Sequence, residues 1–282
     1  MRRLFLLLTV LLAVPAQAAS LRLECPQAIG IGLPFVVKVE SEAPLDKLRV
    51  EWSGKTMQFA AEGNSAEFLL GTDVLKSKPG AHTLRIVKLG LSPLAVQASI
   101  EVEMRDFPEQ RLTVPDEMAA PPPEAQARIA RENAEVREVL GRISPVNHLA
   151  LPLVRPVQGG ISSAYGLRRY FNNLERNPHR GLDLKAALGD PVRAVAAGQV
   201  VLAADHYYGG RSVYIDHGLG VHSVYMHLDA IEVAGAGMVE AGEVIGRAGQ
   251  SGRVTGPHLH LGFYVQDLAV DPSSLFFRPV GD

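Results

Sequence analysis

Between residues 96 and 104 apolar and polar side chains alternate without a break: Val96, Ala98, Ile100, Val102 and Met104 against Gln97, Ser99, Glu101 and Glu103. A period of two fits an extended strand with one buried face. Shorter runs of this kind precede it at Leu21-Arg22-Leu23, Phe35 to Val39, Leu48 to Trp52 and Leu84-Arg85-Ile86. Ala43-Pro44, Ser53-Gly54, Gly63-Asn64 and Pro79-Gly80 separate them as turns. Strands at this spacing over residues 20–105 predict a small β-sandwich, with the immunoglobulin type as one candidate. His82 has no second ligand beside it, and the unit reads as a non-catalytic accessory domain.

Residues 106–150 read as a linker followed by a helix. Phe107-Pro108-Glu109-Gln110, Val114-Pro115 and Pro121-Pro122-Pro123 carry too much proline for regular structure. From Glu124 to Leu140 the good helix formers Ala, Glu, Gln and Arg dominate, and Gly141 is a natural stop. Ile129, Val136, Val139, Leu140 and Ile143 form a narrow apolar stripe suited to packing on a domain. From 151 to 282 short strands return between glycines, with His217-Gly218-Leu219-Gly220 as a hairpin turn. The expected fold is mainly β: an N-terminal small β-sandwich, a linker helix and a C-terminal antiparallel β domain.

The 282 residues suffice for about two domains. A formal charge of −2 leaves no basic surplus for a run of phosphates, which excludes a nucleic-acid binder. Residues 1–18 read as an export signal: Arg2 and Arg3, an apolar run from Leu4 to Val14, then Ala16-Gln17-Ala18 with cleavage expected after Ala18. That run is too short to span the roughly 30 Å hydrocarbon core of a bilayer as a helix. Cys25 is the only cysteine, so no intrachain disulfide forms, and it reads as a small core side chain.

The chemistry gathers at Gly256-Pro257-His258-Leu259-His260. In an extended chain His258 and His260 share one face while Leu259 and Leu261 take the other. His179-Arg180-Gly181-Leu182-Asp183 supplies another imidazole and a carboxylate. A catalytic zinc needs three protein ligands and one open position, and His179, Asp183 and His260 make such a set. His227 and His258 remain as neighbouring imidazoles able to move protons.

These segments also resemble the lysostaphin-type zinc metallopeptidases. His179-Arg-Gly-Leu-Asp183 is similar to that family's His-x-x-x-Asp motif, Tyr225-Met226-His227-Leu228 to its Tyr-x-His-Leu segment, and Gly256 to His260 to its Gly-Pro-His-Leu-His strand, in matching order and spacing. The resemblance covers about residues 155–272. It implies Zn2+ held by His179, Asp183 and His260, a catalytic pair of His227 and His258, and hydrolysis of peptide bonds in bacterial peptidoglycan. Leu261-Gly262-Phe263 departs from the aromatic-then-acidic continuation common in the family, but removes no ligand. Tyr225, at i and i+2 with His227, is expected either to line the groove or to pack in the core. The loop Arg168-Arg169-Tyr170-Phe171-Asn172-Asn173 before His179 reads either as a wall of the groove, with Arg168 and Asn172 as candidate substrate contacts and its arginines meeting stem-peptide carboxylates, or equally as a solvated loop.

Two readings of function follow. One is an exported endopeptidase of the periplasm or cell envelope, remodelling the wall, with a possible membrane or envelope partner through the N-terminal domain. The alternative is a wall-binding regulator that activates another peptidoglycan hydrolase. Relatives that have lost activity lack one or more of the five residues, and this chain keeps all five. A biotinyl- or lipoyl-carrier-like barrel is excluded, because no lysine follows Lys185.

Overall fold

A computed structural model describes residues 20–113 and 121–276. The leader 1–18 and Val114-Pro115 of the linker lie outside the described residues. Strands predominate, in the order the alternating patterns predict. No helix among the described residues is long and apolar enough to cross a membrane.

Two sheets build the N-terminal domain. One joins β1 (Leu21–Glu24), β3 (Pro34–Ser41) and β6 (Ser65–Gly71), and β2 (Ala28–Gly30), β4 (Lys47–Trp52), β5 (Lys55–Ala60), β7 (Gly80–Lys88) and β8 (Leu94–Glu103) form the other in the order β2-β8-β7-β4-β5. Period two does the sorting. Phe35, Val37 and Val39 of β3 face inward against Leu48, Val50 and Trp52 of β4, while Lys38 and Glu40 face water. The Trp52 indole N–H is satisfied by Gly71 O at 2.9 Å, so its ring enters the core without an orphaned donor.

The expected linker is not wholly irregular. Glu109–Leu112 forms β9, pairing in parallel with β11 (Arg168–Phe171), which pairs in turn with β12 (Leu174–Glu175). Proline excludes strand only where an N–H is needed, and these four residues lie beyond Pro108 and carry none. Helix α1 (Pro123–Leu140) starts with proline at its first turn, where the missing N–H is not needed. Val139 and Leu140 are buried against Tyr214 and Val224, with Val136 at the margin. Ile129 is only half-buried and Ile143 is 38% exposed, so the contact stripe is shorter than the sequence pattern.

The C-terminal region is one large sheet. Its path runs β10 (Ile161–Ser163), β13 (Leu182–Leu184), β20 (Leu259–Val265), β17 (Val221–Ile231), β16 (Gly210–Gly218), β15 (Gly198–His206) and β18 (Met238–Val239). β14 (Pro191–Arg193) and β19 (Val244–Ala248) pair beside β17, and β21 (Leu268–Ala269) pairs with β20. Every pairing in this sheet is antiparallel, as predicted. The β16–β17 turn is Leu219-Gly220, both at positive φ, a combination suited to two-residue hairpins. His217, placed in that turn by its sequence, instead ends inside β16 and is fully buried.

Candidate metal centre

Asp183 stands between Leu182 and Leu184 in β13. The leucines turn into the core, so the carboxylate faces the other way. β13 pairs with β20 so that Asp183 lies directly opposite His260, and cross-strand partners on one face are within contact range. In β20 the neighbours Leu259 and Leu261 are fully buried, leaving His260 and the preceding His258 to line the groove. His179 is brought back to them because its N–H donates to Leu167 O at 2.9 Å and its carbonyl accepts from Gly166 N–H at 2.7 Å. Gly181 permits the close approach: a Cβ there would lie 2.6 Å from His260 Nε2.

Three potential ligand atoms converge. His179 Nε2 is 2.9 Å from Asp183 Oδ1, His260 Nδ1 is 2.8 Å from the same oxygen, and the two nitrogens are 3.0 Å apart. His179 Nδ1–H donates to Ala164 O at 2.7 Å, which leaves Nε2 with a bare lone pair. That lone pair and an anionic oxygen at contact distance repel unless a cation or a shared proton lies between them. Two imidazole nitrogens and one carboxylate oxygen, all within 4.8 Å, match the donor set of a zinc-type ion.

Electrostatics keep the set ready for a cation. Burial pushes His179 down to about 4, so its ring is neutral at neutral pH. Burial acts to raise the Asp183 carboxyl, but the imidazoles of His179 and His260 against it hold it well below the usual carboxylate range. Arg169 Nη2 donates to Asp183 Oδ2 at 2.8 Å, fixing the carboxylate and leaving Oδ1 aimed at the imidazoles. Gln110 of β9 accepts from Arg169 Nε at 3.0 Å, so the linker strand supports the orienting arginine.

His227 and His258 flank this cluster with ring centres 4.9 Å apart. His227 Nδ1–H donates to Ser251 O at 3.0 Å, and His258 Nδ1–H to Gly256 O at 2.9 Å. Both therefore keep Nε2 as the free ring atom. Burial, then the nearby His260 and His258, pushes His227 down to about 3. The groove holding Asp183, His227, His258 and His260 has a volume of about 640 Å³ and is walled by Gln110, Leu112, Arg169, Phe171, Lys185 and Arg253.

Tyr225 takes the core alternative, and Arg168 and Asn172 sit outside the groove. Tyr225 is fully buried; its Oη accepts from Val195 N–H at 2.7 Å and lies 3.0 Å from Ser223 Oγ. The reason is a bulge. Arg211 pairs with Leu228 but Val213 with Tyr225, so β17 holds one extra residue there, and His227 takes φ +66°. That residue breaks the alternation, sending Tyr225 to the core and His227 to the groove. Arg168 and Asn172 do not line the groove; Arg169 and Phe171 do, because strand neighbours face opposite ways. Arg168 Nε instead donates to Phe107 O at 3.1 Å, and Asn172 occupies the turn after β11. His206, His217 and His222 are buried away from the groove. Gln110, Leu112, Lys185 and Arg253 were wall residues that sequence reasoning missed; for Arg253 the available signal was its place directly after the glycine-rich Gly249-Gln250-Ser251-Gly252 run.

A mainly β protein with two imidazoles and one carboxylate able to hold a metal ion in an open groove is the class that fold and site define. Residues 177–272 match Peptidase family M23. A Pseudomonas aeruginosa crystal structure assigned to peptidase M23 is 31% identical, covers 87% of this chain and 95% of its own, and superposes with a TM-score of 0.68. The chain belongs to peptidase family M23. It is similar to the peptidoglycan DD-endopeptidase ShyB of Vibrio cholerae, 38% identical over 33% of this chain and 22% of that protein. It is also similar to the DD-carboxypeptidase/endopeptidase Mpg of Neisseria meningitidis, 40% identical over 41% of this chain and 26% of that protein. The chain thus matches about a quarter of the length of these curated relatives.

Proposed function

We propose that this protein is a zinc-dependent endopeptidase, exported to the periplasm or cell envelope, that hydrolyses peptide bonds in peptidoglycan stem peptides or crosslinks. The observation that carries it is the convergence of His179, Asp183 and His260 beside two imidazoles that both keep Nε2 free in one groove. The similarity to relatives named for DD-endopeptidase activity supports the substrate class.

His179, Asp183 and His260 hold the ion, with Arg169 and Ala164 O fixing the orientation of two of them. When bound, zinc supplies Lewis acidity, polarising the scissile carbonyl and making water acidic enough to attack near neutral pH. His258, one-fifth exposed at the groove, accepts the water's proton at Nε2 and returns it to the leaving amine. His227 is sealed deeper and stays neutral, so its bare Nε2 holds the water or a substrate N–H by accepting a hydrogen bond.

The test is incubation of the protein with purified peptidoglycan, with and without a chelator, followed by analysis of the muropeptides. New peptide termini that disappear with chelator are expected. Unchanged muropeptides at full metal occupancy refute the reading and favour the regulator alternative.

A further inference from the structure

Gln110 belongs to the linker strand β9, outside the residues 177–272 that carry the family match. Its parallel register partner in β11 is Arg169, and neighbours in register point to the same face of a sheet. That face is the groove side, where Gln110, Leu112, Arg169 and Phe171 all lie. The other face is tied down separately. Glu109 Oε2 accepts from Arg111 Nη2 at 2.8 Å, and the Arg111 guanidinium carbon lies 4.3 Å from the Tyr170 ring centre. Arg168 N–H donates to Pro108 O and Asn172 N–H to Leu112 O, both at 3.0 Å, so β9 is bonded at each end. Gln110 therefore stands on a fixed strand.

Its single amide serves two branches that lead to the metal ligands. Gln110 Oε1 accepts from Arg169 Nε–H at 3.0 Å, and Arg169 Nη2 donates to Asp183 Oδ2 at 2.8 Å. Gln110 Nε2–H donates to Ser163 Oγ at 3.3 Å, which also accepts from Arg169 Nη2 at 3.2 Å. That buried hydroxyl oxygen stands 3.5 Å from His179 Nδ1. Among the described residues Gln110 is the one acceptor of Arg169 Nε–H. A guanidinium is planar, so holding Nε and Nη2 together fixes both its plane and the direction of the N–H aimed at Oδ2. With Nε released, the group can turn, and the Asp183 carboxylate can turn with it.

We infer that Gln110 is a positioning residue for the metal centre: through Arg169 it fixes which oxygen Asp183 turns to the ion. This rests on the metal-binding part of the reading above and goes beyond it, because it makes the linker strand part of the zinc site. A carboxylate free to rotate must be ordered when the ion binds, whereas one already oriented binds more tightly. Gln110 thus acts on affinity for the ion before any substrate is present.

The experiment measures zinc dissociation constants of the full chain by competition with a chromogenic chelator, without substrate. The proteins compared are the wild type, Gln110→Met, Gln110→Glu, Arg169→Met and the double variant carrying both methionines. Loss of an outer partner weakens metal binding by roughly 10- to 100-fold, so about 10-fold is expected for Gln110→Met and more for Arg169→Met. Gln110→Glu keeps an acceptor for Arg169 Nε–H and should restore most of the affinity. In the Arg169→Met background, Gln110→Met should change little, because the residue acts through the guanidinium. Thermal unfolding in excess chelator shows which variants fold. If Gln110→Met does not, Gln110→Asn, one methylene too short to reach both partners, takes its place. Wild-type zinc affinity in the folded variant overturns the inference, as does an equal loss with and without Arg169. Because no peptidase rate enters, an absence of peptidoglycan cleavage counts against the endopeptidase reading alone. A wild type that binds no zinc overturns the metal site and this inference together.

Discussion

A non-glycine residue in the left-handed region costs roughly 1–3 kcal/mol, and His227 is held there by two contacts. Its N–H donates to Gly209 O at 2.8 Å and its Nδ1–H to Ser251 O. The strain delivers an imidazole to a position that regular alternation would give to the core. His258 and His260 reach the same groove without strain, by alternation alone, yet their partners differ. His260 Nδ1 touches Asp183 Oδ1 at 2.8 Å, whereas His258 Nε2 stands 3.8 Å from it. His260→Ala is therefore expected to lose bound zinc. His258→Ala should keep zinc and lose turnover by about 10²- to 10⁴-fold, the range for a general acid–base group. Metal analysis of both purified variants, set beside their peptidase rates, checks the division; zinc loss in His258→Ala refutes it. Such residues were legible in the sequence because few side chains ligate metal and period two assigns their face. Tyr225 was not, since the extra residue in β17 shows only once its pairing with β16 is known.

At the scale of elements, the sheet's interior is joined by a buried polar chain. His217 Nδ1–H donates to Ala197 O at 2.7 Å, so neutral Nε2 accepts from Ser223 Oγ–H at 2.7 Å. Ser223 has no second proton, so Tyr225 Oη–H completes the run toward Ser223 while accepting from Val195 N–H. Residues of β16 and β17 are thus linked to the segment before β15 through one neutral imidazole. Burial pushes His217 down to about 4, with Asp216 opposing and His222 and His148 adding to the shift. The unfolded ring titrates near 6.5, so between these values the unfolded chain binds a proton that the fold refuses. Stability from this group is complete above pH 6.5 and falls as pH drops toward 4, by roughly 3 kcal/mol. Urea unfolding across that range should show the slope, and His217→Gln should flatten it whatever its own stability; an unchanged slope in that variant refutes the assignment. Short apolar runs and glycines made the strands of this sheet legible, but not the order in which they pair. β9 was not legible, because four residues between prolines signal a strand only through their parallel partner β11, more than fifty residues away.

Across the whole molecule, the N-terminal domain grips the segment that carries His179 and Asp183. Asp73, with no exposed surface, accepts from Leu75 N–H at 2.7 Å and Lys76 N–H at 3.2 Å within its own domain. Its other oxygen accepts from Arg180 Nη2 at 2.6 Å and Ala269 N–H at 2.8 Å across the boundary. Arg180 directly follows His179. Tyr165 repeats the bridge, accepting from Val74 N–H at 3.1 Å and donating to Ala269 O at 2.8 Å. Gly71 and Val270 approach so closely that a Cβ on the glycine would lie 2.7 Å from Val270 Cγ1. Contacts this tight make the domain a support for the site rather than a tethered spacer. Asp73→Ala leaves the partly buried Arg180 guanidinium and the Ala269 N–H without their acceptor, a change expected to cost about 1–3 kcal/mol. Because Arg180 adjoins a ligand, the damage should reach the metal as well. Zinc stabilises the fold in proportion to the logarithm of its occupancy over its dissociation constant, so weaker binding means a smaller zinc-induced rise in unfolding midpoint. The wild type and Asp73→Ala should therefore differ in the increment between chelator and zinc, beyond their difference in chelator alone. Equal increments would show that the boundary carries stability and leaves the ligands untouched.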